Sequence, residues 1–179
     1  MRNVRYGPVP ATRTRRQAIR RLTDVRRSTL AFIAALPEAE ILRLRTQDRW
    51  SVKDVLGHLL GCDEETVRRF KLIARGRADQ IHWFESMADA DRFNARSVVR
   101  TRRLGLAALM GRMERARAEL IAHLEHLPVD ALDDPSHAYT VVDWLPEPGW
   151  THEEEDLAEL RAWWRKRRGE LARPARKAG

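Results

Sequence analysis

The chain has 179 residues, 43% of them hydrophobic, enough for one domain with a substantial core. Its single cysteine, Cys62, excludes an internal disulfide, and no N-terminal apolar run resembles a secretion signal or a membrane span, so a reducing cytoplasm is the expected setting. The formal charge of +8 is uneven: residues 1–30 carry +8, residues 161–179 carry +7, and residues 31–160 carry −7, which confines any nucleic-acid or anionic-lipid contact to two Arg-rich ends.

Residues 1–10 contain Gly7, Pro8 and Pro10 and read as a flexible basic arm. Apolar residues at Ile19, Leu22, Val25, Leu30, Ile33 and Leu36 then keep helical spacing until Pro37 ends the run, which defines helix one. A second helix is predicted over 51–74. Ser51 is its N-cap, Asp54 lies at the third position in a capping-box arrangement weakened by the shorter acid, Trp50 is placed to staple onto Val55, and Gly76 closes it. Residues 76–90 lack periodicity and read as a long crossover. Helix three is predicted to run without interruption from near Asp91 to Leu127, where Pro128 stops it. The segment 128–149, with Pro135, Pro146 and Pro148, reads as a second long loop of the kind packed over a site. Helix four is predicted to start at a Thr151-x-x-Glu154 capping box and run to Arg168, leaving 169–179 as a basic disordered tail. Four helices, no alternating strand pattern and two long connections predict an all-α four-helix bundle with two long crossover loops, its domain spanning residues 11–168.

Three side chains carry the best case for chemistry. On helix four, His152 and Asp156 stand four residues apart, about 40° from one another, with Leu160 at about 80° and Trp163 at about 20°. Both polar residues thus share the stripe that must face the core, and together they offer a metal two ligands. His58 borders the apolar arc of helix two formed by Val52, Val55, Leu59, Cys62, Thr66 and Phe70, and would bring a third ligand from a facing helix. The plainer reading is a satisfied core histidine and an acid paired with a helix dipole. Cys62, one turn after His58, is a small core residue or a thiol near the metal, and Glu65 is a surface acid or a base close to the site. His123 and His126 sit in the last turns before Pro128, where a positive imidazole suits the dipole; His82 and His137 lie in loops. Trp83, Trp144 and Trp150 are candidates to roof a pocket. No phosphate-cradling glycine loop, nucleophile elbow or CxxC occurs.

The stretch Arg49-Trp50-Ser51-Val52-Lys53-Asp54-Val55-Leu56-Gly57-His58-Leu59 resembles part of the DinB-like four-helix-bundle superfamily, which includes bacillithiol and mycothiol transferases and a thiol-dependent maleylpyruvate isomerase. So do Asp91-Arg92-Phe93-Asn94-Ala95 and the segment from Thr151 to Trp163. That resemblance implies a divalent metal held by one His on helix two and an HxxxH pair on helix four, which places His58 and His152 at ligand positions. The second His of the pair is here Asp156, a departure that leaves a two-His, one-carboxylate set suited to zinc and also to nickel, iron or manganese. It also implies transfer of a low-molecular-weight thiol, or hydrolysis, with a small-molecule electrophile as substrate. The other readings are a metal-free bundle acting as a small-molecule-binding or dimerisation module, with a homodimer ordinary for such folds, and nucleic-acid association through the basic termini.

Overall fold

The structure, a computed structural model, describes residues 11–45, 50–132 and 140–172. The expected basic arm, His137, and most of the expected C-terminal tail lie outside these residues. The described chain is helical, with an isolated antiparallel bridge between Leu44 and Ser51 and no strand. Its helices are α1 (Ala11–Ala34), α2 (Glu38–Leu42), α3 (Val52–Ala74), α4 (Met87–Thr101), α5 (Leu106–His126), α6 (Val141–Trp144) and α7 (His152–Leu171). None of them is long and apolar enough to cross a membrane.

Helix α3 lies at the centre, packed most extensively on α5 and α4 and also touching α7. Its start follows the sequence pattern: Ser51 Oγ accepts from the Asp54 amide at 3.0 Å while the Asp54 carboxylate accepts from the Ser51 amide at 2.9 Å, a complete capping box built on Asp. Asp54 also receives Arg102 from the end of α4 at 3.1 Å. At the other end Gly76 takes φ +65°, the left-handed conformation that lets its own amide and that of Arg77 close back on the last helical carbonyls.

Two expectations fail here. Helix three is not continuous: it begins at Met87, capped by Ser86, and divides into α4 and α5 at Arg102–Gly105, where Gly105 starts the new helix in an extended conformation. The apolar spacing runs through the break because each half buries a stripe, Val98 and Thr101 before it and Leu109, Met113 and Leu120 after it, so periodicity alone could not locate the corner. Nor does Thr151 cap helix four. It has helical backbone angles, φ −61° and ψ −51°, and the chain is already coiled in a π turn over Glu147–Thr151. Pro146 and Pro148 fit this first turn because a helix start needs no amide donors there. Pro146 and Pro148, read as loop markers, are therefore helix initiators, and Glu154 pairs with Arg21 on α1 at 2.9 Å instead of capping.

The core has two apolar clusters. One gathers Leu22, Phe70, Leu120, Leu124, Leu132 and Trp144; the other gathers Ile33, Val52, Leu56, Leu60, Leu109, Met113 and Leu160. In α1, α3 and α5 the chain passes from one cluster to the other through a buried charge, Arg26, Asp63 and Arg117, and a fourth buried charge, Glu153, stands at the start of α7. Arg26 grips Glu153 through two nitrogens, at 2.8 and 3.0 Å, and reaches Asp63 at 3.0 Å. Arg117 grips Asp63 at 2.7 and 3.2 Å and Glu153 at 2.8 Å, and spends its last nitrogen on the Leu22 and Gly149 carbonyls. Two cations and two anions cancel. Burial pulls the Arg26 guanidinium down and Asp63 and Glu153 more than restore it, while burial pushes Glu153 up and Arg26 and Arg117 bring it below its ordinary value. None of these four was singled out from the sequence, because a lone Arg or Asp in a helical stripe carries no sign of its partner.

Candidate metal centre

Packing brings the three residues chosen from spacing to one place. His58 comes from the second turn of α3, whereas His152 and Asp156 come from the first turns of α7, and each offers a ligand atom with all three within 4.8 Å of one another. His58 Nε2 lies 4.0 Å from Asp156 Oδ2, and the two imidazoles meet edge to face with centroids 4.8 Å apart. Trp50 stacks obliquely beside His58 at 5.7 Å. The rotation of α7 that aims His152 and Asp156 inward is set by Glu153, which lies between them and is fixed by both buried arginines.

The electrostatics match a set of metal donors. Burial, reinforced by the neighbouring His152, lowers His58 to about 4, so it is a neutral imidazole at pH 7 with a lone pair to donate. Burial raises Asp156 to about 6 against the opposing influence of His152. Asp156 Oδ2 and His58 Nδ1 are buried without a hydrogen-bond partner. A carboxylate oxygen left in this state costs free energy that a cation between the three groups would recover, so the residues present fit a divalent ion. Asp156 is short, yet the meeting of α3 with α7 puts its oxygen in the gap.

A cavity of about 400 Å³ opens on this group. His58 and His152 form one end; Cys62, Glu65 and Arg69 continue the same face of α3; and Trp83, Phe84 and Phe93 together with Trp144 supply aromatic walls. The expected roof is thus present in Trp83 and Trp144, whereas Trp150 lines a separate apolar depression beside α1. Cys62 is buried with Sγ 3.9 Å from His58 Nε2, and burial, with Asp63 and Asp156 nearby, pushes its thiol above the ordinary range. It is a thiol beside the group, not one of the three converging ligands. Glu65 is neither a free base nor a plain surface acid: Arg68 and Arg69 both bind it. His82 pairs with Asp89 at 3.5 Å and His123 with Glu119 at 3.8 Å, while His126 Nδ1 meets the Ala122 carbonyl at 2.7 Å, all outside the cavity lining. Arg69 was passed over in the sequence although it continues the series His58, Cys62, Glu65 at helical spacing, about 20° from His58.

No curated protein and no solved structure matches the chain at a significant level. A family profile described as the DinB superfamily matches residues 21–146, most of the chain, including α3 with His58 and ending just before His152. With an all-helical fold, and with His58 brought against the start of α7, the chain belongs to the DinB superfamily.

Proposed function

We propose that His58, His152 and Asp156 hold one divalent metal, with zinc the first choice and nickel, iron or manganese compatible with the same donors, and that the chain uses it as a transferase or hydrolase on a small electrophile. The observation that carries this reading is the buried, unpartnered Oδ2 of Asp156 facing two imidazoles at the end of a cavity. When bound, such an ion supplies Lewis acidity and lowers the pKa of a water or thiol at an open position.

The chain's own residues do the rest. His58 presents a neutral nitrogen, and Trp50 packs beside its ring. Asp156 supplies the one negative charge, leaving a site more positive than three carboxylates would give and less so than three imidazoles. Aromatic side chains from α4, the connection before it and α6 keep water away from the cavity and bind the apolar body of a substrate. Cys62, a deeply buried thiol, is unsuited to attack, so in a thiol transfer the nucleophile would be a low-molecular-weight thiol entering from outside. The reading takes residues 11–168 as one cytoplasmic domain.

Equilibrium dialysis against zinc followed by elemental analysis tests it. One equivalent of metal in the native chain and none in His58→Ala is the expected result; no metal uptake by the native chain under any divalent ion would leave a metal-free binding module.

A further inference from the structure

Three turns beyond His58, at the far end of the cavity, Arg69 lies under a ring of aromatics. Its guanidinium carbon is 4.6 Å from the Trp83 ring centroid, 5.4 Å from Trp144 and 5.6 Å from Phe84. Only 6% of the residue is exposed. Its Nε donates to Glu65 Oε1 at 3.0 Å, but Glu65 is already bound by Arg68 through two bonds of 2.7 Å, so one carboxylate serves two cations. Among the described residues Glu65 is the one acceptor that Arg69 meets, through Nε, and Arg69 lines the cavity.

A guanidinium bracketed by aromatic rings, lining a cavity and sharing its one carboxylate with Arg68, is suited to a planar oxyanion. Arginine presents two parallel N–H donors that match the two oxygens of a carboxylate, and aromatic faces fix its plane without consuming those donors. His58 and Arg69 are eleven residues apart on one helix, about 16 Å along its axis, so the cavity has a candidate metal end and a cationic end with aromatic walls between. The other acids on the lining, Asp91 and Glu147, sit toward solvent, and Glu147 faces His152 at 3.8 Å.

We propose that Arg69 is the anion-recognition residue of this cavity, and that the substrate is an elongated, largely apolar or aromatic carboxylate whose carboxylate docks on Arg69 while its reactive atom lies at the His58 end. The inference rests on the metal reading for which end reacts, but not for the binding of the anion.

The test is calorimetric titration of the full chain with 4-phenylbutyrate and, separately, with its uncharged amide, in chelator-treated protein and again after zinc is added. The carboxylate is expected to bind about tenfold more tightly than the amide in both states. Arg69→Met is expected to abolish the preference, and Arg69→Lys, which keeps the charge without the planar fork, to retain part of it. Equal binding of acid and amide to the native chain, or no binding of the acid at millimolar concentration, would overturn the proposal, as would a preference that survives in Arg69→Met. Should Arg69→Met fail to fold, the native acid-to-amide ratio and Arg69→Lys decide. Zinc uptake unchanged in His58→Ala would instead remove the metal reading and leave this result standing.

Discussion

His58 Nε2 and Asp156 Oδ2 face each other across 4.0 Å, beyond hydrogen-bond length, although both residues are largely withdrawn from water. Two polar atoms in such a position either attract one another directly or share something between them. The first does not happen here: the separation is too long for a hydrogen bond, and burial keeps the imidazole neutral, so no ion pair forms with the carboxylate.

Zinc should therefore stabilise the native chain and shift its thermal midpoint in proportion to the logarithm of zinc concentration. His58→Ala should remove the shift altogether. Asp156→His, which restores an HxxxH pair on α7, should bind zinc more tightly than the native chain in a chelator-competition assay.

The metal-free protein carries a penalty at Asp156 with a definite pH window. Its folded pKa, about 6, lies above the unfolded value near 3.9, so the carboxyl favours the fold below about pH 4 and loses that advantage as pH rises through 6. His58 acts in the opposite sense, favouring the fold more as pH rises from about 4 to 6.5. Comparing native protein with Asp156→Asn isolates the carboxyl. Chelator-treated Asp156→Asn should be more stable at pH 7 by up to about 3 kcal/mol, and the gain should vanish near pH 4. Saturating zinc should invert the order at pH 7. Urea denaturation at several pH values provides the measurement.

Removing one member of the buried ionic group should cost more than any change at the candidate metal centre. Arg117→Met leaves Asp63 and Glu153 each short of a partner, and a loss of about 3–5 kcal/mol is expected in urea unfolding. Arg117→Met combined with Asp63→Leu should cost clearly less than the two single losses added together, because the second change removes a charge the first had stranded.

Cys62 should resist alkylation by iodoacetamide in the native chain and react once the chain is unfolded in urea, since its thiol is buried and held in the protonated form. Cys62→Ser should keep a full equivalent of zinc. Loss of metal in that variant would bring the sulfur into the ligand set.

A different kind of constraint lies between α3 and α4. A Cβ on Gly57 would fall well inside contact distance of Thr101 Oγ1, and one on Gly61 inside that of Ser97. Gly57→Ala should destabilise by about 1–3 kcal/mol, and Thr101→Ala should recover part of that loss in thermal melts of the double variant.

What could be read from the chain was whatever repeats along a helix. The start and stop of α3 were legible at Ser51, Asp54 and Gly76, and the pair His152 and Asp156 was legible because four residues make nearly a full turn. The convergence of His58 on that pair was a matter of resemblance and patterning until packing showed it. The corner at Gly105 and the coiling from Pro146 were not legible: the first hides inside continuous apolar spacing, and the second uses prolines that also serve as loop residues. The ionic group was the least visible. Arg26, Asp63, Arg117 and Glu153 are far apart in sequence, and only the meeting of four helices makes their charges cancel.

That cancellation separates two tasks on one turn of α7. The side chains that fasten the helices to each other are not the ones that would grip an ion: Glu153 does the fastening, and its neighbours His152 and Asp156 take no part in it. Substitutions at His152 or Asp156 therefore leave the links between the helices in place.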